Sequence, residues 1–147
     1  MPDIVLINGP NLGRLGQRKP EVYGSVTLAE IEQRLKVSAS SAGLSVDCFQ
    51  SDVEGEIIQH LNSRRKARGL ILNPGALMMS GWCLRDCLED FAAFKIEVHI
   101  SNIFARERFR SESVLAGVMD GLIAGLGVGA YQLAFTAIRD SLPKEQG

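Results

Sequence analysis

The chain of 147 residues has only three cysteines, Cys48, Cys83 and Cys87. Their number is odd and no Cys-x-x-Cys pair occurs, so neither a disulfide framework nor a zinc site is expected. It has only two histidines, and no His/Cys/Asp cluster has metal-ligand spacing. Neither sign of charge is in excess: 16 basic residues stand against 17 acidic ones, a net charge of -1. Nucleic-acid binders usually carry a basic excess, so nucleic acid is not an expected partner. No apolar run approaches the roughly 18 residues that a membrane span needs. The opening Met1-Pro2-Asp3-Ile4 lacks the basic stretch of a secretory signal. Cytoplasmic residence is the expectation. No Gly-x-Gly-x-x-Gly or Walker A pattern follows the first apolar run, so a nucleotide cofactor has no motif to hold it. Repeats, linkers and low-complexity runs are also missing, and the length suits one domain over residues 1–147.

What is present is an ordinary globular composition, 46% hydrophobic and 22% charged, which excludes a disordered chain. Ile4-Val5-Leu6-Ile7 reads as a buried strand stopped by Asn8-Gly9-Pro10. Residues 9–26, rich in glycine and proline and carrying Arg14, Arg18 and Lys19, read as a long loop of the kind that usually has a function. Thr27 and Glu30 have capping-box spacing, followed by Leu28, Ile31 and Leu35 on one helical face, with Gly43 as the stop. Residues 44–49 alternate as a second strand. Ser51 and Glu54 suggest a second capping box, with Ile57, Ile58 and Leu61 lining its helix. Leu70-Ile71-Leu72 forms a third strand, closed by Asn73-Pro74-Gly75. A helix is expected over 80–91, a fourth strand over 96–100, a fifth over 117–124 and a last helix over 130–142. Strands alternating with helices imply a parallel sheet covered on both faces, an α/β, flavodoxin-like, doubly wound five-stranded fold. Sites in such folds lie at the carboxyl ends of the strands, near the switch point.

Polar residues gather at those ends: Asn8 and Asn11 after the first strand, Asn73 after the third. Along the fourth, Glu97, His99 and Ser101 share one face, because strand side chains alternate. Two readings stand. One is an edge strand with a wet face. The other is a histidine held by a carboxylate at the mouth of a site. His60, beside Gln59 in a helix, reads as a surface residue. Met78, Met79 and Trp82 begin right after a strand-end turn, so they belong either to the core or to a pocket wall.

Long stretches of the chain resemble one family. Ile7-Asn8-Gly9-Pro10-Asn11-Leu12, Gly16 and Arg18-Lys19-Pro20-Glu21-Val22-Tyr23-Gly24 are similar to the opening of the type II 3-dehydroquinate dehydratases. Gln50-Ser51-Asp52, Asn73-Pro74-Gly75-Ala76, Leu84-Arg85-Asp86, Glu97-Val98-His99-Ile100-Ser101-Asn102 and Phe109-Arg110 resemble later blocks, in order. The resemblance implies a flavodoxin-like fold and loss of water from 3-dehydroquinate, a small-molecule substrate, without metal or organic cofactor. The pathway roles it implies are shikimate biosynthesis or quinate catabolism. It implies Tyr23 as the base, with Arg18 favouring its phenolate, since a free tyrosine has a pKa of about 10. Both fall on the long loop, so loop closure would bring them over the substrate. Asn11 would stabilise the enolate. His99 would protonate the leaving hydroxyl, oriented by Glu97. Asn73 with the Ile100 and Ser101 backbone would hold the carboxylate, and Arg110 the ring hydroxyls. Asp86 matches a residue that reaches a neighbouring subunit's site. A homo-oligomer, a dodecamer by resemblance, is implied.

The chain departs from the family pattern at three places. Met78-Met79-Ser80-Gly81 stands where the family has Thr-His-Thr-Ser, and Met79 cannot donate a hydrogen bond to the ring. Phe104 stands in place of a histidine. Ser111-Glu112-Ser113 replaces a stretch that often carries basic residues or histidine. Two alternatives to the dehydratase therefore stay open: a diverged relative acting on a related cyclic hydroxy-ketone acid, or a non-catalytic flavodoxin-like binding module.

Overall fold

The computed structural model describes residues 1–17, 19, 21 and 24–144. In chain order its strands and helices are β1 (Ile4–Asn8), α1 (Leu28–Ser41), β2 (Val46–Gln50), α2 (Glu54–Asn62), β3 (Gly69–Asn73), α3 (Leu77–Ser80), α4 (Trp82–Glu89), β4 (Phe94–His99), β5 (Gly121–Ala124) and α5 (Ala130–Ser141). The strands are parallel and ordered β2-β1-β3-β4-β5. This is the flavodoxin-like order, in which the chain direction across the sheet reverses between β1 and β3.

Alternation along the strands builds two cores. Ile4, Leu6, Ile71, Ile96 and Val98 face α1 and α5, where they meet Ile31, Leu35, Ala134, Phe135 and Ile138. Val5, Ile7, Leu70 and Leu72 face the other way, onto Ile57 and Leu61 of α2 and Leu84 and Leu88 of α4. Each such side chain contributes about 1.5–3 kcal/mol when taken fully out of water. α5 packs close on β3: a Cβ at Gly69 would lie 2.4 Å from Ile138 Cγ2.

The local expectations hold with corrections. Thr27 Oγ1 accepts from the Glu30 N–H at 3.2 Å, so α1 is capped as its sequence suggests. The second capping box does not form. α2 begins at Glu54, with Val53 at its N-cap, which leaves Ser51 too far upstream. Ser51 Oγ instead accepts from the Val53 N–H and donates to Glu56 Oε2. Glu54 Oε2 accepts from the Leu84 N–H at 3.0 Å, satisfying an amide in the first turn of α4. The helix expected over 80–91 is α4, shorter at both ends, and the short α3 precedes it across Gly81, whose N–H bonds tightly back to Leu77 O at 2.7 Å. The fifth strand starts later than expected, because Ala116–Val118 is a 3-10 turn.

β4 is not an edge strand. It lies between β3 and β5, and Glu97 is fully buried. The wet-face reading of its polar row is therefore overturned. His60 is also not a plain surface residue. It is half-buried, stacks on Phe49 at 4.1 Å and lies 2.5 Å from Asp47 Oδ2, because the outer strand β2 turns Asp47 and Phe49 toward α2.

Candidate active site

A cleft of about 290 Å³ opens at the carboxyl ends of β1, β3 and β4. It sits where the strand order reverses, as crevices in doubly wound sheets do. Two loops meet closely there. The Gly9 N–H donates to Asn73 O at 2.8 Å, and a Cβ at Gly9 would lie 2.5 Å from Pro74 O. Only glycine lets the turn after β1 approach the turn after β3 so nearly.

Asn11, Asn73, Met79, His99, Ile100, Ser101 and Arg110, all expected as site residues, line this one cleft. Their separation in sequence spans about 100 residues, and the parallel register closes it. Asp86 does not line the cleft. It is exposed on α4. Arg18 and Tyr23 lie outside the described residues.

Glu97 and His99 form the buried heart of the site. Glu97 Oε2 lies 2.5 Å from His99 Nε2. Glu97 Oε1 accepts from Ser113 Oγ at 3.0 Å. His99 lines the cleft, so with Nε2 committed to Glu97 its Nδ1 is the nitrogen left for a ligand. The glycine-rich segment after β5 steadies this strand end. The Gly125 N–H reaches His99 O and the Gly127 N–H reaches Ile100 O. Gly125 holds a φ of 87°, in the left-handed region that favours glycine.

Asn73 is held from behind. Its Nδ2 donates to Tyr131 Oη at 2.9 Å, and its Oδ1 accepts from the Gly75 N–H at 3.2 Å. Tyr131 in turn donates to Asn8 Oδ1 at 2.6 Å. Burial pushes the Tyr131 phenol well up, opposed by the Asn73 bond, so it stays a neutral donor. Asn8, though at a strand end, is buried and does not line the cleft. Asn73 keeps one amide hydrogen for a ligand.

Asn11 takes a left-handed backbone, φ 69°. Its N–H donates to Asp52 Oδ1 at 2.9 Å, and Gln50 Nε2 donates to the same oxygen at 3.1 Å and to Gly9 O at 3.2 Å. Gln50 and Asp52 thus brace the loop that presents Asn11. The sequence marks them only as part of a block.

The cationic side comes from the segment after β4. Arg110 Nε pairs with Glu107 Oε2 at 2.9 Å, and its guanidinium lies 5.0 Å from the Phe109 ring centroid. The Glu107 carboxyl is held below its usual range, chiefly by its own backbone N–H and then by Arg110 and Arg106. Arg106 also lines the cleft. Its place between the stretch that holds His99 and the stretch that holds Arg110 was the available signal for it. The wall facing these groups is apolar: Ala76, Met78 and Met79, with Met78 buried. Among the described residues, no three His, Cys, Asp or Glu side chains gather as a metal site.

The profile described as Dehydroquinase class II matches residues 2–139. The chain belongs to the class II dehydroquinase family. It is 46% identical over 141 residues to the 3-dehydroquinate dehydratase of Anoxybacillus flavithermus, covering 95% of each chain. It is 44% identical over 145 residues to the 3-dehydroquinate dehydratase of Halalkalibacterium halodurans, covering 98% of this chain and 100% of that one. The crystal structure of the type II dehydroquinase from Propionibacterium acnes superposes with a TM-score of 0.90 at 38% identity, covering 96% of this chain and 99% of that one. The family membership and the parallel five-stranded sheet agree with what the sequence alone implied.

Proposed function

We propose that this chain dehydrates 3-dehydroquinate to 3-dehydroshikimate. The observation that carries the reading is the buried Glu97–His99 pair opening onto a cleft ringed by Asn11, Asn73, Ser101 and Arg110, in a chain so close to named dehydratases. The reaction needs three functions. A base removes a proton beside the ketone, and the electron pair enters an enolate. A hydrogen-bond donor stabilises that enolate oxygen. An acid protonates the β-hydroxyl, whose C–O bond breaks as the enolate collapses to the conjugated enone, releasing one water.

Tyr23 is the base in this proposal, with Arg18 favouring its phenolate. Asn11 stabilises the enolate, its side chain presented by the Asp52 and Gln50 brace. His99 is the acid, and Glu97 orients it. The free amide hydrogen of Asn73 and the backbone at Ile100 and Ser101 hold the substrate carboxylate, and Arg110 holds ring hydroxyls. In this reading Asp86, exposed on α4, serves a neighbouring subunit's site. We read the chain as one catalytic domain, in a cytoplasmic homo-oligomer of dodecamer size. Exposed Trp82 and Phe104, at 61% and 62%, support association.

The apolar wall of Met78 and Met79 favours a second shade of the same reading, in which the preferred substrate is a related cyclic hydroxy-ketone acid with fewer hydroxyls on that side. An absorbance assay for the conjugated enone tests the first reading directly. Enone from 3-dehydroquinate at enzyme-like rates supports the dehydratase. Tight binding without product supports the non-catalytic module. Faster turnover of the less hydroxylated analogue supports the diverged relative.

A further inference from the structure

We infer that Ser113 is a positioning residue that sets the direction of the hydrogen bonds running through Glu97 to His99. A serine hydroxyl has one hydrogen to donate and two lone pairs that accept. At Ser113 both accepting places are filled: the Leu115 and Ala116 N–H groups each lie 3.2 Å from Oγ. Its single hydrogen is therefore left for Glu97 Oε1, 3.0 Å away. A hydroxyl with a free lone pair could also accept from a protonated Glu97. This one can only donate.

The consequence passes to the histidine. Oε1 is fixed as an acceptor, and donation to it stabilises negative charge on a carboxylate that no water reaches. That favours the shared proton on His99 Nε2 rather than on Glu97 Oε2. Nδ1 is then the nitrogen that faces the cleft, takes up the second proton and gives it away. Partners of this kind fix a histidine's tautomer as well as its orientation.

The segment that carries Ser113 is itself anchored. The Val114 N–H donates to Met78 O at 2.7 Å, and Arg85 Nη1 donates to Val114 O at 2.6 Å. Helices α3 and α4 thus hold Ser113 under Glu97.

The inference uses the proposed dehydration only for its kinetic test. A second test needs no substrate: nitrogen-15 NMR of histidine-labelled protein, with His60→Gln to assign the two rings. The expected wild-type spectrum has His99 protonated at Nε2 when neutral, and Ser113→Ala moves it toward a mixture. In turnover, Ser113→Ala lowers kcat about 10- to 100-fold, the range for such supporting partners, with KM within about twofold. Ser113→Thr, which keeps the hydroxyl, restores both. A Ser113→Ala protein with unchanged kcat and unchanged His99 spectrum overturns the inference, even if its melting temperature falls, because the serine then only shapes its turn. If Ser113→Ala does not fold, the wild-type spectrum still decides: a neutral His99 protonated at Nδ1 overturns it. Should wild type fail to turn over 3-dehydroquinate, the proposed function falls while the spectra still decide this inference.

Discussion

Asn73 Nδ2 donates to Tyr131 Oη at 2.9 Å, tying the carboxyl end of β3 to α5. The same phenol donates to Asn8 Oδ1 at 2.6 Å, so one buried hydroxyl fixes two strand-end asparagines. Tyr131→Phe strips both bonds at once. Asn8 Nδ2 has no partner among the described residues, so the amide has nothing there to fall back on. The expected loss is about 1–3 kcal/mol of stability, read by urea denaturation. KM for 3-dehydroquinate rises too, because Asn73 keeps only the Gly75 N–H to hold its amide in place. A variant with native KM would detach Asn73 from substrate binding.

Removing the enolate donor is a separate test. Asn11→Ala is expected to lower kcat about 10²- to 10³-fold, as loss of an oxyanion donor does. Asp52→Ala acts in the same direction but less, since it frees the Asn11 backbone without deleting the side chain. Steady-state kinetics on both, with equal effects or the reverse order, would refute the brace.

Tyr23→Phe and Arg18→Ala are each expected to lower kcat about 10²- to 10⁴-fold while the fold survives. Circular dichroism checks the fold and the enone assay checks turnover. A Tyr23→Phe enzyme with near-native kcat ends the assignment of Tyr23 as base.

The apolar wall makes a gain-of-function prediction. Putting Thr, His and Thr at Met78, Met79 and Ser80 is expected to raise kcat/KM for 3-dehydroquinate by about 1–3 kcal/mol, more than Met79→His alone. Gly81 is best left in place, because a Cβ there would lie 2.7 Å from Leu77 O. The backbone bond from the Val114 N–H to Met78 O survives the exchange. An unchanged or lower kcat/KM would mean that the wall is tuned to another substrate.

Stability at high pH tests two shielded acids, the half-buried Cys48 and the buried Tyr131. Burial first, then the Glu32 and Asp47 carboxylates, push the Cys48 thiol up to about 12 from 9.0, with Lys36 opposing. Burial likewise pushes the Tyr131 phenol up. Both groups ionise more readily in the unfolded chain, so their contribution is full below the unfolded values and is lost as pH rises toward the folded ones. Denaturant midpoints are expected to fall from about pH 9 upward. Cys48→Ala flattens the first part of that fall, and an identical slope in the variant would disprove the thiol's share.

Much of this protein is legible along the chain. The apolar runs Ile4–Ile7 and Leu70–Leu72, each stopped by a turn containing Asn, Gly and Pro, mark two strands and their ends. The capping Thr27 and the apolar face of Leu28, Ile31 and Leu35 mark a helix, because these signals are local and repeat with the period of the element. Alternation alone puts Glu97 and His99 on one face. Tertiary structure decided the rest. Burial of β4 between β3 and β5 made that face a dry pair instead of a wet edge. Which partner a polar side chain takes was also decided in three dimensions. Glu54 capped α4 rather than its own helix, Asp52 braced Asn11, Tyr131 held Asn73, and Ser113 reached Glu97. These bonds join residues far apart in the chain, and a hydrogen bond depends on where the fold brings donor and acceptor, which no local pattern encodes.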